Sequence, residues 1–128
     1  MIILDTHIWI WLINQDSKLP INIKSIINQN EILGLSQISC WEVSMLVSKN
    51  RLDLQIDINI WMKYATKYSK IKLLELSPEI SILSNNLSTT FHQDPADRII
   101  TATAIKMNLP LATLDKNIIN SNLVETIS

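Results

Sequence analysis

Apolar and polar positions along the chain fall into short blocks whose period switches repeatedly between that of a strand and that of a helix. "MIIL" is a β-branched and apolar run ending at Asp5, and "THIWIWLI" continues in a pattern that predicts a helix with Thr6 as its cap. After a polar loop containing Pro20, "NIKSIINQ" reads as a second helix. "EILGLS" reads as a second strand passing into the helical "SCWEVSMLVSK", with Ser39 as cap. Lys49 in the last turn and Asn50, which tolerates the left-handed conformation, mark where that helix ends. "INIWMKYATKY" predicts an amphipathic helix with Ile60, Tyr64 and Tyr68 along one side. "IKLLEL" is a third strand, and "SPEISILSNNL" opens with the serine, proline and glutamate of a helix start. A helix over 95–107, "LPLAT" as a fourth buried strand, "DKNIIN" as a short helix and "NLVETI" as a last strand complete the chain. Strands alternating with helices, without hairpin turn signals, predict βαβ units. The expected class is therefore α/β, with a parallel sheet covered by helices on both faces.

Composition narrows this picture without identifying a chemistry. A chain of 128 residues predicts a single domain over 1–128, and no linker or low-complexity tract divides it. A formal net charge of −1 does not by itself announce a nucleic-acid partner. The only cysteine, Cys40, can form neither an internal disulfide nor a thiolate metal site, which suits a reducing compartment. The apolar N-terminus carries Asp5 and His7 and lacks a basic leader, so it reads as folded structure rather than a signal peptide. No apolar run reaches the roughly 18–20 residues needed to cross a bilayer, and a cytoplasmic location is expected. With Gly34 as the only glycine, the Rossmann fingerprint and the P-loop are both excluded.

The stretch "HQDPADRIITATA" leaves a choice open. Asp94 is a good N-cap, Pro95 suits the first helical position, and Asp97 adds negative charge where the helix dipole favours it, so a helix start alone explains both acids. The other acids change the balance. Asp5 ends the first strand, Glu42 is expected in the first turn of the helix after the second strand, Asp97 lies in a first helical turn, and Asp115 follows the fourth strand. In an open parallel sheet these positions gather at the carboxyl edge, where ligand crevices form. Capping does not explain Asp5 at the end of a buried strand. A cluster of three or four carboxylates with no accompanying cationic cluster needs a counter-charge, and oxygen ligands favour magnesium or manganese. The chemistry such a centre supports is attack of a metal-activated water on a phosphodiester.

At these residues the chain resembles the PIN-domain nucleases, most closely the VapC-type toxins of bacterial toxin–antitoxin pairs. The resemblance is carried by "LDTHIWIWL", "LSQISCWEVSMLVSKNRL", "FHQDPADRIITATA" and "LPLATLD", in the family's order and over nearly the whole chain. It implies a PIN-like three-layer α/β/α fold and a Mg2+- or Mn2+-dependent endoribonuclease. Asp5, Glu42, Asp97 and Asp115 become the catalytic and metal-binding acids, with Thr6, Asp94, Arg98 and Thr113 in support. It also implies an RNA substrate, a homodimer, and a small DNA-binding antitoxin whose C-terminal segment lies in an apolar groove with a basic side chain near the acids. Ala96, Gln93 and Asn50 depart from the family's usual bulky apolar residue, basic residue and glycine. The missing basic residue weakens the attraction expected for RNA.

Other conspicuous residues have plainer readings. His7 and His92 lack metal-ligand spacing. Arg98 is read as an ion-pair partner orienting Asp97 or, second, as a phosphate contact. Trp9, Trp11, Trp41 and Trp61 read as core. Trp9 and Trp11, two apart on one helix, cannot both face inward, so one is expected outside the core. Two alternatives stand beside the nuclease. An aspartyl-phosphate phosphotransfer enzyme would want a second aspartate where His7 stands, and a non-catalytic α/β binding module would use every acid as a cap.

Overall fold

The computed structural model describes residues 1–128. Five strands and seven helices alternate: β1 (Ile2–Leu4), α1 (Thr6–Asn14), α2 (Ile21–Gln29), β2 (Leu33–Ser36), α3 (Gln37–Ser48), α4 (Ile58–Thr66), β3 (Ile71–Leu74), α5 (Pro78–Asn85), α6 (Pro95–Met107), β4 (Leu111–Ala112), α7 (Lys116–Ser121) and β5 (Thr126–Ile127). All strand pairs are parallel, and the sheet order is β3-β2-β1-β4-β5. The expected α/β class and parallel sheet are what the fold has.

Period-two alternation in the strands divides the core between two faces. Ile2, Leu4, Leu33, Leu35 and Ala112 pack with α1, α2 and α4 through Ile8, Trp9, Ile23, Ile27, Trp61 and Ala65. Ile3, Leu74 and Leu111 face the other way, against Phe91, Ile100, Ala104 and Ile118. The first cluster is anchored by Trp9, whose ring meets Trp61 edge-on at 5.0 Å and whose Nε1 donates to the Ala65 carbonyl. Of the two tryptophans two apart on α1, Trp9 is fully buried and Trp11 only half-buried, as the helix angle requires. Trp41 is 56% exposed and does not belong to the core expected for it. On α4 the buried side is Trp61 and Ala65, so Ile60 and Tyr64 project outward, and Tyr68 lies beyond the helix end.

Three local expectations shift. Asp5, not Thr6, caps α1, its Oδ1 accepting from the Thr6 amide. Ser36, not Ser39, caps α3, because β2 turns directly into the helix at Gln37. Glu42 consequently sits in the second turn of α3 rather than the first. Asn50 does adopt the left-handed conformation, with φ 55°.

The strand order puts the site in place. From β1 the chain builds outward through β2 and β3, then returns to the other side of β1 to build β4 and β5. The connections reverse between β1 and β4, and a crevice opens at the carboxyl end of such a switch point. Gly34, in the centre of β2, lets neighbouring side chains close over the strand: a Cβ there would stand 2.9 Å from Leu74 Cδ1, 3.3 Å from Ile3 Cγ1 and 3.4 Å from the Ile2 carbonyl. Gly34→Val is expected to cost about 1–3 kcal/mol in chemical denaturation, because the branched side chain must displace Ile3 as well as Leu74. An unchanged midpoint would refute this packing.

Candidate active site

Asp5, Glu42, Asp94, Asp97 and Asp115 line one cleft of about 450 Å³ at the carboxyl edge of the sheet, together with His7, Trp11 and Arg51. Three of these acids are helix N-caps. Asp5 caps α1, Asp94 caps α6 by accepting from the Ala96 and Asp97 amides, and Asp115 caps α7 by accepting from Asn117 and Ile118. The positive ends of three helices therefore point at the cleft and favour negative charge there. Asp94 and Asp115 cap through Oδ1 alone, which leaves each Oδ2 without a protein donor.

Asp5 is held differently. It is only 6% exposed, and both its oxygens are occupied, Oδ1 by the Thr6 amide at 2.8 Å and Oδ2 by the Thr113 hydroxyl at 2.6 Å. Thr113 Oγ1 also accepts from the Asp115 amide at 3.0 Å, so one threonine ties the first and last acids together. Thr6 makes a buried hydroxyl pair with Ser39 at 2.9 Å, joining α1 to α3 beneath Glu42. The hydroxyl read as a cap in sequence thus acts as an interhelix tie.

Ligand-capable atoms come within 4.8 Å of one another in two sets that share Asp97: Glu42, Asp94 and Asp97, and His92, Asp97 and Asp115. Asp5 belongs to neither set, while Asp94 and His92 stand nearer the centre than their sequence context indicates. His92 Nε2 lies 3.3 Å from Asp97 Oδ2, misaligned for a hydrogen bond and without another partner. Sequence spacing could not reveal it, because the approach depends on how the loop before α6 folds back.

Arg98 is a correction. Its guanidinium turns away from Asp97 and donates to the carbonyls of Ser84, Leu87, Phe91 and His92. It neither pairs with the acid nor faces a phosphate site. It fastens the 84–92 segment onto α6, and through that segment it fixes where His92 stands.

No lysine or arginine pairs with any cleft acid; the ion pair Lys106–Glu79 lies elsewhere. Burial raises the pKa of Asp5 and Glu42 above the ordinary carboxylate range, and neighbouring acids add to both shifts. Burial, reinforced by Asp5, Asp94, Asp115 and Glu42, pushes Asp97 up to about 8. Glu42 Oε1 is buried with no hydrogen-bond partner at all. A carboxylate with one buried, unpartnered oxygen, lying within ligand distance of two further acids, fits a bound divalent cation, which would supply the missing counter-charge.

Comparison with known proteins places the chain in a family. Residues 2–121 match the family model described as PIN domain. Over 117 residues the chain is 26% identical to ribonuclease VapC22 of Mycobacterium tuberculosis, covering 91% of this chain and 88% of that protein. In structure it is similar to VapBC2 from Rickettsia felis bound to a promoter DNA fragment, with TM-score 0.72 and 20% identity over 99% of this chain and 98% of that one. It is also similar to a toxin–antitoxin complex from Klebsiella pneumoniae, with TM-score 0.71 and 18% identity over 100% and 97% of the two chains. The structural likeness establishes the shared fold.

The raised pKa values make stability depend on pH with a definite sign. Unfolded, Asp97 titrates near its ordinary 3.8; folded, it holds its proton up to about 8. Its contribution is therefore fully present at low pH and is lost as pH rises through about 8. In EDTA the melting temperature is expected to fall by roughly 5–10 °C between about pH 5 and about pH 8.5. Added Mg2+ should restore most of the loss at the upper end and little at the lower. A flat or rising profile in EDTA would contradict the crowding of these acids.

Proposed function

The chain belongs to the PIN domain family, and from that premise we propose that it is a metal-dependent endoribonuclease, the toxin of a toxin–antitoxin pair acting on cytoplasmic RNA. One observation carries the reading above the others: Glu42 is no helix cap, yet its Oε1 is buried without a hydrogen-bond partner and its carboxylate lies within ligand distance of Asp94 and Asp97. A binding module whose acids only cap helices has no use for that arrangement. A phosphotransfer enzyme needs a free aspartate nucleophile at the end of β1, and Asp5 has both oxygens engaged.

In this reading Glu42, Asp97 and Asp115 hold Mg2+ or Mn2+, with Asp94 beside them. Asp5 and Thr113 set the position of Asp115 and the negative field that favours the cation. When bound, the metal supplies a Lewis acid for the phosphodiester and lowers the pKa of a water on it. Asp97 is central because it belongs to both ligand sets, and it would have to give up its proton, held to about pH 8 in the free protein, to hold a cation. His92 stands 3.3 Å from Asp97 Oδ2, and Arg51, the one cation lining the cleft, offsets repulsion of an incoming polyanion.

The partner proposed is a small DNA-binding antitoxin, as in the VapBC complexes to which the fold is similar. The apolar side of the cleft, through Trp11, Met45, Leu46 and Leu52, supports such a tail, and a basic side chain on it would compete with the metal for the acids. The outward Ile60 and Tyr64 of α4 line an open hollow of about 1000 Å³ and support a second surface, shared with the antitoxin or with another copy in a homodimer.

Asp97→Asn is expected to abolish Mg2+-dependent cleavage of RNA while the protein stays folded, since it removes a ligand and relieves repulsion. Wild-type cleavage by that variant would sink the assignment. Asp94→Asn should keep the α6 cap and retain measurable cleavage, within about a hundredfold of wild type. A loss as deep as that of Asp97→Asn would put Asp94 among the obligatory ligands. Sedimentation with and without the product of an adjacent short reading frame tests the partner: a monomer that ignores it and stays active in its presence removes the toxin reading and leaves the nuclease.

A further inference from the structure

Next to the acidic cleft, with His92 standing between, is a second cavity of about 310 Å³. On one side it is lined by Asn117, Asn120 and Ser121 of α7, and on the other by Ser88, Thr90 and Phe91 from the segment that Arg98 fastens. Its character is opposite to that of the cleft: polar, with no carboxylate, lysine or arginine in its lining. The hydroxyls are already used, Ser88 with Thr90 and Ser121 with the Ile118 carbonyl. The side-chain amides of Asn117 and Asn120, three apart on one face of α7, are hydrogen-bonded to nothing in the protein.

This lining selects for a class of ligand. An anionic group would find no cation, and the first amides of α7 are taken by Asp115. A primary amide presents a donor and an acceptor side by side, the pattern that pairs with the edge of a nucleobase. The cavity also lies at the right place. His92 touches both it and Asp97, and the Asn117 backbone N–H donates to the Asp115 carboxylate, so its occupant would be a direct neighbour of a phosphate held by the acids. Only an unpaired base can offer its edge in this way.

We propose that this cavity receives the unpaired nucleobase flanking the scissile phosphate, and that Asn117 and Asn120 read its hydrogen-bonding edge. The inference rests on the ribonuclease reading above and adds to it the source of sequence preference.

The test uses single-stranded RNAs that differ only in the bases flanking the cut, cleaved in competition by the wild type and by the double variant Asn117→Ala/Asn120→Ala. In parallel, nucleoside monophosphates are titrated into the metal-free wild type while the side-chain amide resonances of both asparagines are followed. The wild type is expected to prefer one base at one flanking position by roughly tenfold, and the double variant to level that preference to within about twofold while still cutting. A preference unchanged in the variant, or absent from the wild type, overturns the inference and leaves the nuclease standing. Amide shifts on nucleotide addition without cleavage of any RNA support the base site and overturn the ribonuclease reading; neither shifts nor cleavage overturns both.

Discussion

Five carboxylates share one cleft with no lysine or arginine paired to any of them, and much of the fold is arranged around tolerating that. Burial, reinforced by like charges this close, disfavours full ionisation, which is why Asp97 holds its proton to about pH 8. The structure offers three partial remedies. The N-termini of α1, α6 and α7 converge on the cleft, the Thr6 amide and the Thr113 hydroxyl donate to Asp5, and Asp97 keeps its proton. None of these cancels the charge, so the cleft lacks a positive counter-charge of the kind a divalent cation would supply.

The one buried cation, Arg98, is adjacent to Asp97 in sequence and best placed there to relieve the crowding, and it is turned away. Its guanidinium is satisfied by four backbone carbonyls and by the face of Phe91, 5.7 Å from the ring centroid. Had it paired with Asp97, it would have supplied part of the counter-charge that the acids lack. By bonding to the loop instead, it leaves the acids electrostatically unsatisfied while fixing the wall that carries His92.

The order and type of the elements were readable because strand and helix periods are local. The helix over 95–107 and the serine-proline start of α5 follow directly from cap chemistry. The four acids were readable for a related reason: in a parallel sheet, strand ends and helix starts share an edge whatever the exact pairing. What could not be read depends on contacts across the chain. Ser39 looks like a cap until the end of β2 is known, and its true partner, Thr6, is 33 residues away. The direction of Arg98, the approach of His92 to Asp97 and the exposure of Trp41 are likewise tertiary facts with no local signature.

Because Asp5, Asp94 and Asp115 are caps as well as cleft acids, folding and chemistry are coupled at those positions. A cap lost to alanine costs about 1 kcal/mol of stability and also removes charge, so the two effects arrive together. Asparagine separates them, keeping the acceptor for the helix and deleting the negative charge. Glu42 needs no such separation. It lies in the second turn of α3, caps nothing, and leaves Oε1 buried without a partner, so the stability of this fold would be better served by an apolar residue there. A buried carboxylate oxygen that costs stability and has no partner in the protein points to something that binds there, and that is why Glu42, rather than the more conspicuous aspartates, is the residue on which the metal-centre reading rests.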